Sequence, residues 1–153
     1  MSAFITSLQR SNGGVPKLPI DRGRVTIDGL EGDWQKNRKH HGGPERALCL
    51  YSQELIDQLA LEGHPIFPGA VGENVTISGL DWRLMQPGIR IAVGEVIAVI
   101  TAFTVPCSTI RGAFSDERSV RISEKLFPGW SRVYARVEKE GELAVGDEVT
   151  LMA

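Results

Sequence analysis

Cys107 has the setting that most invites chemistry. It follows Val105-Pro106 at the end of the apolar segment Val96–Phe103 and opens a short predicted helical turn reaching about Ala113. The residue before a proline stays extended, so the strand must stop there. A thiol at a helix start feels the positive end of the peptide dipoles, and a nearby cation stabilises thiolate further. Arg111 lies four residues on, one helical turn away. Such a thiolate can act as nucleophile, sulfur carrier or soft-metal ligand. The alternative is an inert cysteine packed as a small hydrophobe. Ser108 and Thr109 follow, so no adjacent base activates the thiol. The other cysteine, Cys49, sits mid-strand between Leu48 and Leu50 and reads as core.

Three further segments carry polar groups in useful patterns. The run from Arg38 to Arg46 sets Lys39, His40, His41, Gly42 and Gly43 before a strand. Adjacent histidines rarely face one metal, and no third ligand is apparent, which argues against zinc. Glycines let a backbone approach a ligand closely, and exposed amides with Lys39 or Arg46 can cradle an anion. A solvated basic loop is the alternative. In Gly69–Thr76, a glycine-spaced loop enters a strand, and Glu73 and Asn74 there can recognise a polar ring edge or simply form a turn. From Trp130 to Val137 the residues alternate. Val133, Ala135 and Val137 share one face; Trp130, Arg132, Tyr134 and Arg136 share the other. Arg132 and Arg136 suit bidentate anion contacts, unless that face is solvated with arginine stems covering the aromatics. His64, in Gly63-His64-Pro65, reads as a surface or capping residue.

The elements that must position these residues are mostly strands. Segments Phe4–Gln9, Arg46–Tyr51, Asn74–Ser78, Ile89–Val93, Val96–Thr104, Arg132–Glu138 and Glu148–Met152 are dense in β-branched residues. One helix interrupts them. Ser52 can cap it, Glu54 sits in its first turn, Leu55, Ile56 and Leu59 form its apolar stripe, and Gly63 ends it. Short strands, frequent glycine turns and few helices predict a mainly β, barrel-like domain. With 153 residues, the chain is expected to form one domain spanning 1–153. Lys plus Arg is 17 against 19 acidic residues, net −2, which argues against a general nucleic-acid binder. The longest clean apolar run, Val96–Ile100, is far shorter than a bilayer span. The start lacks a signal-peptide pattern, so the chain reads as cytoplasmic with reduced cysteines.

Taken in order, these segments resemble the MOSC domain family (molybdenum cofactor sulfurase C-terminal domains). Lys39 to Leu48 is similar to its HGG-P-x-R-A-[LV] signature. Gly63-His64-Pro65 with Phe67–Asn74 resembles its G-x-[VL]-G-E-N loop, and Val105-Pro106-Cys107 its single cysteine. Pro128–Val137 resembles its G-x-x-G-x-Y-[AG]-R-V strand, with Arg132 standing where the pattern has its second glycine. Gly141–Leu151 resembles its V-G-D-x-[VI] ending. The resemblance implies a closed β-barrel-like fold with a few short helices. It also implies molybdenum cofactor (molybdopterin) binding, sulfur transfer, or both. Carried over, Cys107 is the molybdenum ligand and catalytic residue, or a persulfide carrier. His41, Gly42, Glu73 and Asn74 line the cofactor pocket, with Lys39, Arg46, Arg132 and Arg136 as anion contacts.

The implied function is reduction of small N-hydroxylated compounds, with a redox partner protein supplying electrons. The alternative is a sulfur-carrier or cofactor-delivery module fed by a sulfur-donor protein, without redox catalysis. Larger relatives carry further domains. A standalone domain has fewer walls around a large cofactor, so a cofactor-free barrel is also compatible. No nucleic-acid or membrane partner is expected, and a homodimer is the base-rate assembly.

Overall fold

A computed structural model describes residues 2–33 and 43–152. Its strands are β1 (Ala3–Arg10), β2 (Leu18–Ile20), β3 (Arg22–Thr26), β4 (Gly29–Leu30), β5 (Leu48–Ser52), β6 (Val75–Ser78), β7 (Arg90–Val93), β8 (Val96–Phe103), β9 (Val133–Lys139), β10 (Gly141–Ala144) and β11 (Glu148–Leu151). Seven of them close a barrel in the order β1–β11–β7–β8–β9–β5–β6 and back to β1, and β2 adds to β1 outside this ring. A second sheet, β10–β3–β4, stands beside it. The mainly β, closed-barrel expectation holds.

Among the described residues one α-helix, α1 (Gln53–Leu61), joins β5 to β6, which pair in parallel. Parallel neighbours need such a crossover. Ser52 caps α1 through its hydroxyl, which accepts from the Leu55 amide, and Ile56 and Leu59 bury the helix against the barrel.

Register separates the two faces of the wall. Leu50 pairs with Val133 and Cys49 with Tyr134 across β5–β9, while Tyr51 pairs with Thr76 across β5–β6. Directly opposed residues share a face. One face therefore holds Leu48, Leu50, Val75, Ile77, Val133 and Ala135, all fully buried. The other holds Cys49, Tyr51, Thr76 and Tyr134, continued by Arg132. That second face is not solvated, because loops cover it: Tyr134 is 7% and Arg132 5% exposed.

One strand begins later than expected, and three short strands are additional. Pro44–Arg46 forms a 3-10 turn with proline at its start, so β5 begins at Leu48 rather than Arg46. Strands β2, β3 and β4 were not anticipated. They are two to five residues long, and Pro19 and the charges of β3 hide any alternation.

Candidate functional site

Strand β8 ends at Phe103, and the chain runs out through Val105-Pro106 to Cys107. Thr104 is still tied to the wall, its amide donating to the Arg132 carbonyl at 2.9 Å. Cys107 is the extended residue just before a six-residue 3-10 helix, Ser108–Ala113, as the sequence suggested. Its thiol is half-buried and stands 2.7 Å from the Thr109 hydroxyl. Arg111 turns away and donates to the Ser108 carbonyl, so the nearby cation expected from spacing does not meet the sulfur through a hydrogen bond.

Behind Cys107 lies a buried polar layer centred on Tyr134 and Arg132. Both cysteines, Arg132 and Arg46 lie within electrostatic reach of the Tyr134 hydroxyl, and burial holds its ionisation well above the ordinary range. The Arg46 guanidinium sits 5.6 Å from the Tyr134 ring centroid. Cys49 is sealed: its sulfur meets the Thr104 hydroxyl at 3.8 Å, and burial pushes its thiol up.

The Gly69–Asn74 loop supplies the rest. Gly69 has φ +92°, and a Cβ there would collide with the Lys17 carbonyl, so only glycine lets the loop pass this close. The same contact is a hydrogen bond, Lys17 amide to Gly69 carbonyl at 2.9 Å. Glu73 is fully buried. Burial pushes its carboxyl up to about 7. The Thr76 hydroxyl, which donates to Oε2 at 3.1 Å, and the Arg132 charge act the other way. Asn74 is also fully buried and is engaged within the chain. Its Oδ1 accepts from the Cys49 amide at 3.0 Å, and its Nδ2 donates to the Gln9 carbonyl and to Asp33. That arrangement clips the loop to β5 and β1.

Sequence reasoning did not single out Gln9, Lys17 or Asp33. Lys17 and Asp33 form a buried ion pair at 2.6 Å, with side chains 3% and 6% exposed. Breaking such a pair leaves one buried charge and costs about 3–5 kcal/mol. Gln9 Nε2 donates to the Glu73 carbonyl at 3.0 Å and to the Thr76 hydroxyl at 3.2 Å. Gln9 lies in β1, where a polar residue ordinarily faces water, so no local signal marked it.

Arg132 is the outstanding member. Its Nη1 donates to the Val71 carbonyl at 2.6 Å, while Nε and Nη2 are buried with no partner. An unsatisfied buried donor costs about 1–3 kcal/mol. Arg136, by contrast, is half-exposed and pairs with Glu45 at 3.2 Å and Glu138 at 3.8 Å. The structure thus sets Cys107, Arg46 and Arg132 around Tyr134, and Glu73 and Asn74 beside Cys49 on the loop that Arg132 contacts, while Arg136 stays half-exposed. Lys39, His41 and Gly42 lie outside the described residues. His64 packs on Phe114: its Nδ1 accepts from the Ser115 amide at 3.1 Å and its ring meets the Phe114 ring edge-on. A separate cleft of about 250 Å³, lined by Trp82, Met85, Gln86, Phe103, Pro128 and neighbours, contains none of these site residues.

Among the described residues, no helix is long and apolar enough to cross a membrane. A family model for the MOSC domain matches residues 37–150. YflK of Bacillus subtilis (strain 168) is 27% identical over 142 residues, covering 92% of this chain and 63% of its own length. YiiM of Escherichia coli (strain K12) is 36% identical over 102 residues, 61% of this chain and 44% of its own length. The chain therefore spans less than two thirds of either relative. The crystal structure of YiiM from Geobacillus stearothermophilus matches with a TM-score of 0.74 at 22% identity, covering 99% of this chain and 75% of its own. The YuaD protein of Bacillus subtilis matches with a TM-score of 0.76 at 20% identity, covering 97% and 94%. At these identities the structural likeness concerns the fold.

Proposed function

Because the chain belongs to the MOSC domain family, a family associated with molybdenum cofactor, we propose that it holds this cofactor beside Cys107 and reduces small N-hydroxylated compounds. The observation that supports this reading is the contrast in access. Cys107 is a half-buried thiol at a strand exit, next to a region carrying the positive charges of Arg46 and Arg132. A thiolate is a soft anionic ligand suited to such a metal. The donor set therefore fits the group: Cys107 would ligate the metal, and Arg46 would meet the cofactor's anionic end. Lys39, His41 and Gly42, assigned by the resemblance, would complete the pocket. When bound, the cofactor supplies a centre that exchanges electrons in pairs.

The net reaction takes an N–OH group to N–H. It breaks the N–O bond, consumes two electrons and two protons, and releases water. A separate redox protein supplies the electrons. The chain's own task is to hold the cofactor, exclude water with the covered face of β5 and β9, and present the substrate at the Cys107 mouth.

The test is turnover of a hydroxylamino base, with a chemical reductant, by protein made in a cofactor-producing host. The reading expects activity in the native protein and none in Cys107→Ser. Persulfide on Cys107 without molybdenum-dependent turnover would sink it and favour a sulfur carrier.

A further inference from the structure

Four buried side-chain atoms without partners cluster in the polar layer: Arg132 Nε, Arg132 Nη2, Glu73 Oε1 and Gln9 Oε1. Among the described residues, only Arg121 Nη1 shares that condition. Native proteins pair nearly all such atoms, so each unpaired one calls for a cause. Gln9 and Glu73 share one hydrogen-bond network, and Arg132 meets the same Gly69–Asn74 loop through the Val71 carbonyl. Gln9 Nε2 donates to the Glu73 carbonyl, which can only accept, and this fixes the amide with Oε1 pointing away. The Thr76 hydroxyl joins Gln9 to Glu73 Oε2, and Arg132 is close enough to stabilise the Glu73 carboxylate.

The molecule itself shows what an arginine Nε–Nη2 edge takes. Arg121 donates from Nε to Glu62 Oε1 at 3.0 Å and from Nη2 to Glu62 Oε2 at 2.8 Å. Arg83 grips Asp81 the same way, at 3.0 and 2.9 Å. Two parallel N–H bonds match the two oxygens of one carboxylate. Arg132 offers the same edge, 5% exposed, and Glu73 does not fill it.

We propose that Arg132, Glu73 and Gln9 form a subsite for a small hydroxy-carboxylate, its carboxylate on the Arg132 Nε–Nη2 edge and its hydroxyl on Glu73 Oε1 and Gln9 Oε1. A single guanidinium edge balances one negative charge. Lys17, the other buried cation of the layer, is already neutralised by Asp33, so a phosphate dianion is poorly served. The hydroxyl follows from the acceptors. Gln9 Oε1 needs a donor. A neutral Glu73 donates from Oε1 to the ligand's hydroxyl oxygen, and the single hydroxyl proton then goes to Gln9 Oε1. This subsite shares Arg132 with the reading above but requires neither Cys107 nor a metal, so its binding test does not depend on that reading.

The test is a titration of the ¹⁵N-labelled native protein at pH 7 with sodium glycolate, sodium acetate and inorganic phosphate, watching the arginine Nε–H signals. Glycolate is expected to shift one Nε–H resonance, identified as Arg132 by its loss in Arg132→Lys. Acetate, lacking the hydroxyl, should bind roughly tenfold more weakly. Arg132→Lys keeps the charge but loses the paired edge and should weaken glycolate by about tenfold or more. Arg121→Lys should leave the glycolate Kd within about twofold, because its edge already holds Glu62. No shift with any of the three anions would overturn the proposal. So would phosphate binding above glycolate, or unchanged affinity in Arg132→Lys. Should that variant not fold, a crystal structure of the native protein soaked in glycolate decides instead. Carboxylate oxygens on Nε and Nη2 support the subsite, and a molecule bound elsewhere, as an adventitious additive only, contradicts it.

Discussion

Cys49 and Cys107 flank one tyrosine and have opposite fates. Cys49 sits inside β5, paired across from Tyr134, and is 3% exposed. Cys107 sits where the chain leaves β8, half-buried, with the Thr109 hydroxyl on its sulfur. Both lie within electrostatic reach of Tyr134. The difference lies in backbone position. A strand interior under covering loops seals a thiol and holds its proton, whereas a strand exit before a short turn leaves it reachable. The fold thus builds one silent and one available sulfur around a single polar region.

The largest expected effect is on thiol chemistry. In the folded protein a small alkylating reagent should modify Cys107 at least about a thousandfold faster than Cys49, because exposing a core strand requires local opening worth ~4 kcal/mol or more. Mass spectrometry of the labelled peptides reads this ratio, and comparable rates would break the contrast.

A smaller effect concerns Glu73, whose negative charge also pushes the Cys49 thiol up. Its folded carboxyl is pushed up to about 7, above the ordinary 4.5. The folded state therefore holds the proton more tightly than the unfolded chain. Stability from this group is greatest below about 4.5 and is lost as pH rises through about 7. Between pH 5 and 8 the native protein should lose about 2–3 kcal/mol relative to Glu73→Gln. Urea unfolding of both proteins at the two pH values measures it. An unchanged difference would mean that the Glu73 carboxyl is not held neutral by its burial.

The apolar half of this arrangement was legible in the sequence because alternation reports burial directly. Val133, Ala135 and Val137 read as one face of β9, and they are the barrel core. The Ser52 cap and the Leu55–Ile56–Leu59 stripe likewise placed α1. Cys107 was legible because proline fixes the strand exit. The polar half was not legible in the same way. Arg132 and Tyr134 carry the pattern of a solvated face, and only the covering loops, held by Lys17–Asp33 and Asn74, bury them. Those contacts join residues 16 or more positions apart, and no local pattern reports them. Gln9 was hidden for a related reason: a polar residue in an alternating strand ordinarily faces water. That Arg132 keeps a free edge emerges only from the completed hydrogen-bond network.

The most direct test of Cys107 as the metal ligand is elemental analysis of the native protein, Cys107→Ser and Cys49→Ser, each purified from a host making molybdenum cofactor. Near-stoichiometric molybdenum in the native and Cys49→Ser proteins, lost in Cys107→Ser, is the expected result. Molybdenum retained in Cys107→Ser, or absent from the native protein while the host's cofactor supply is verified, would contradict it.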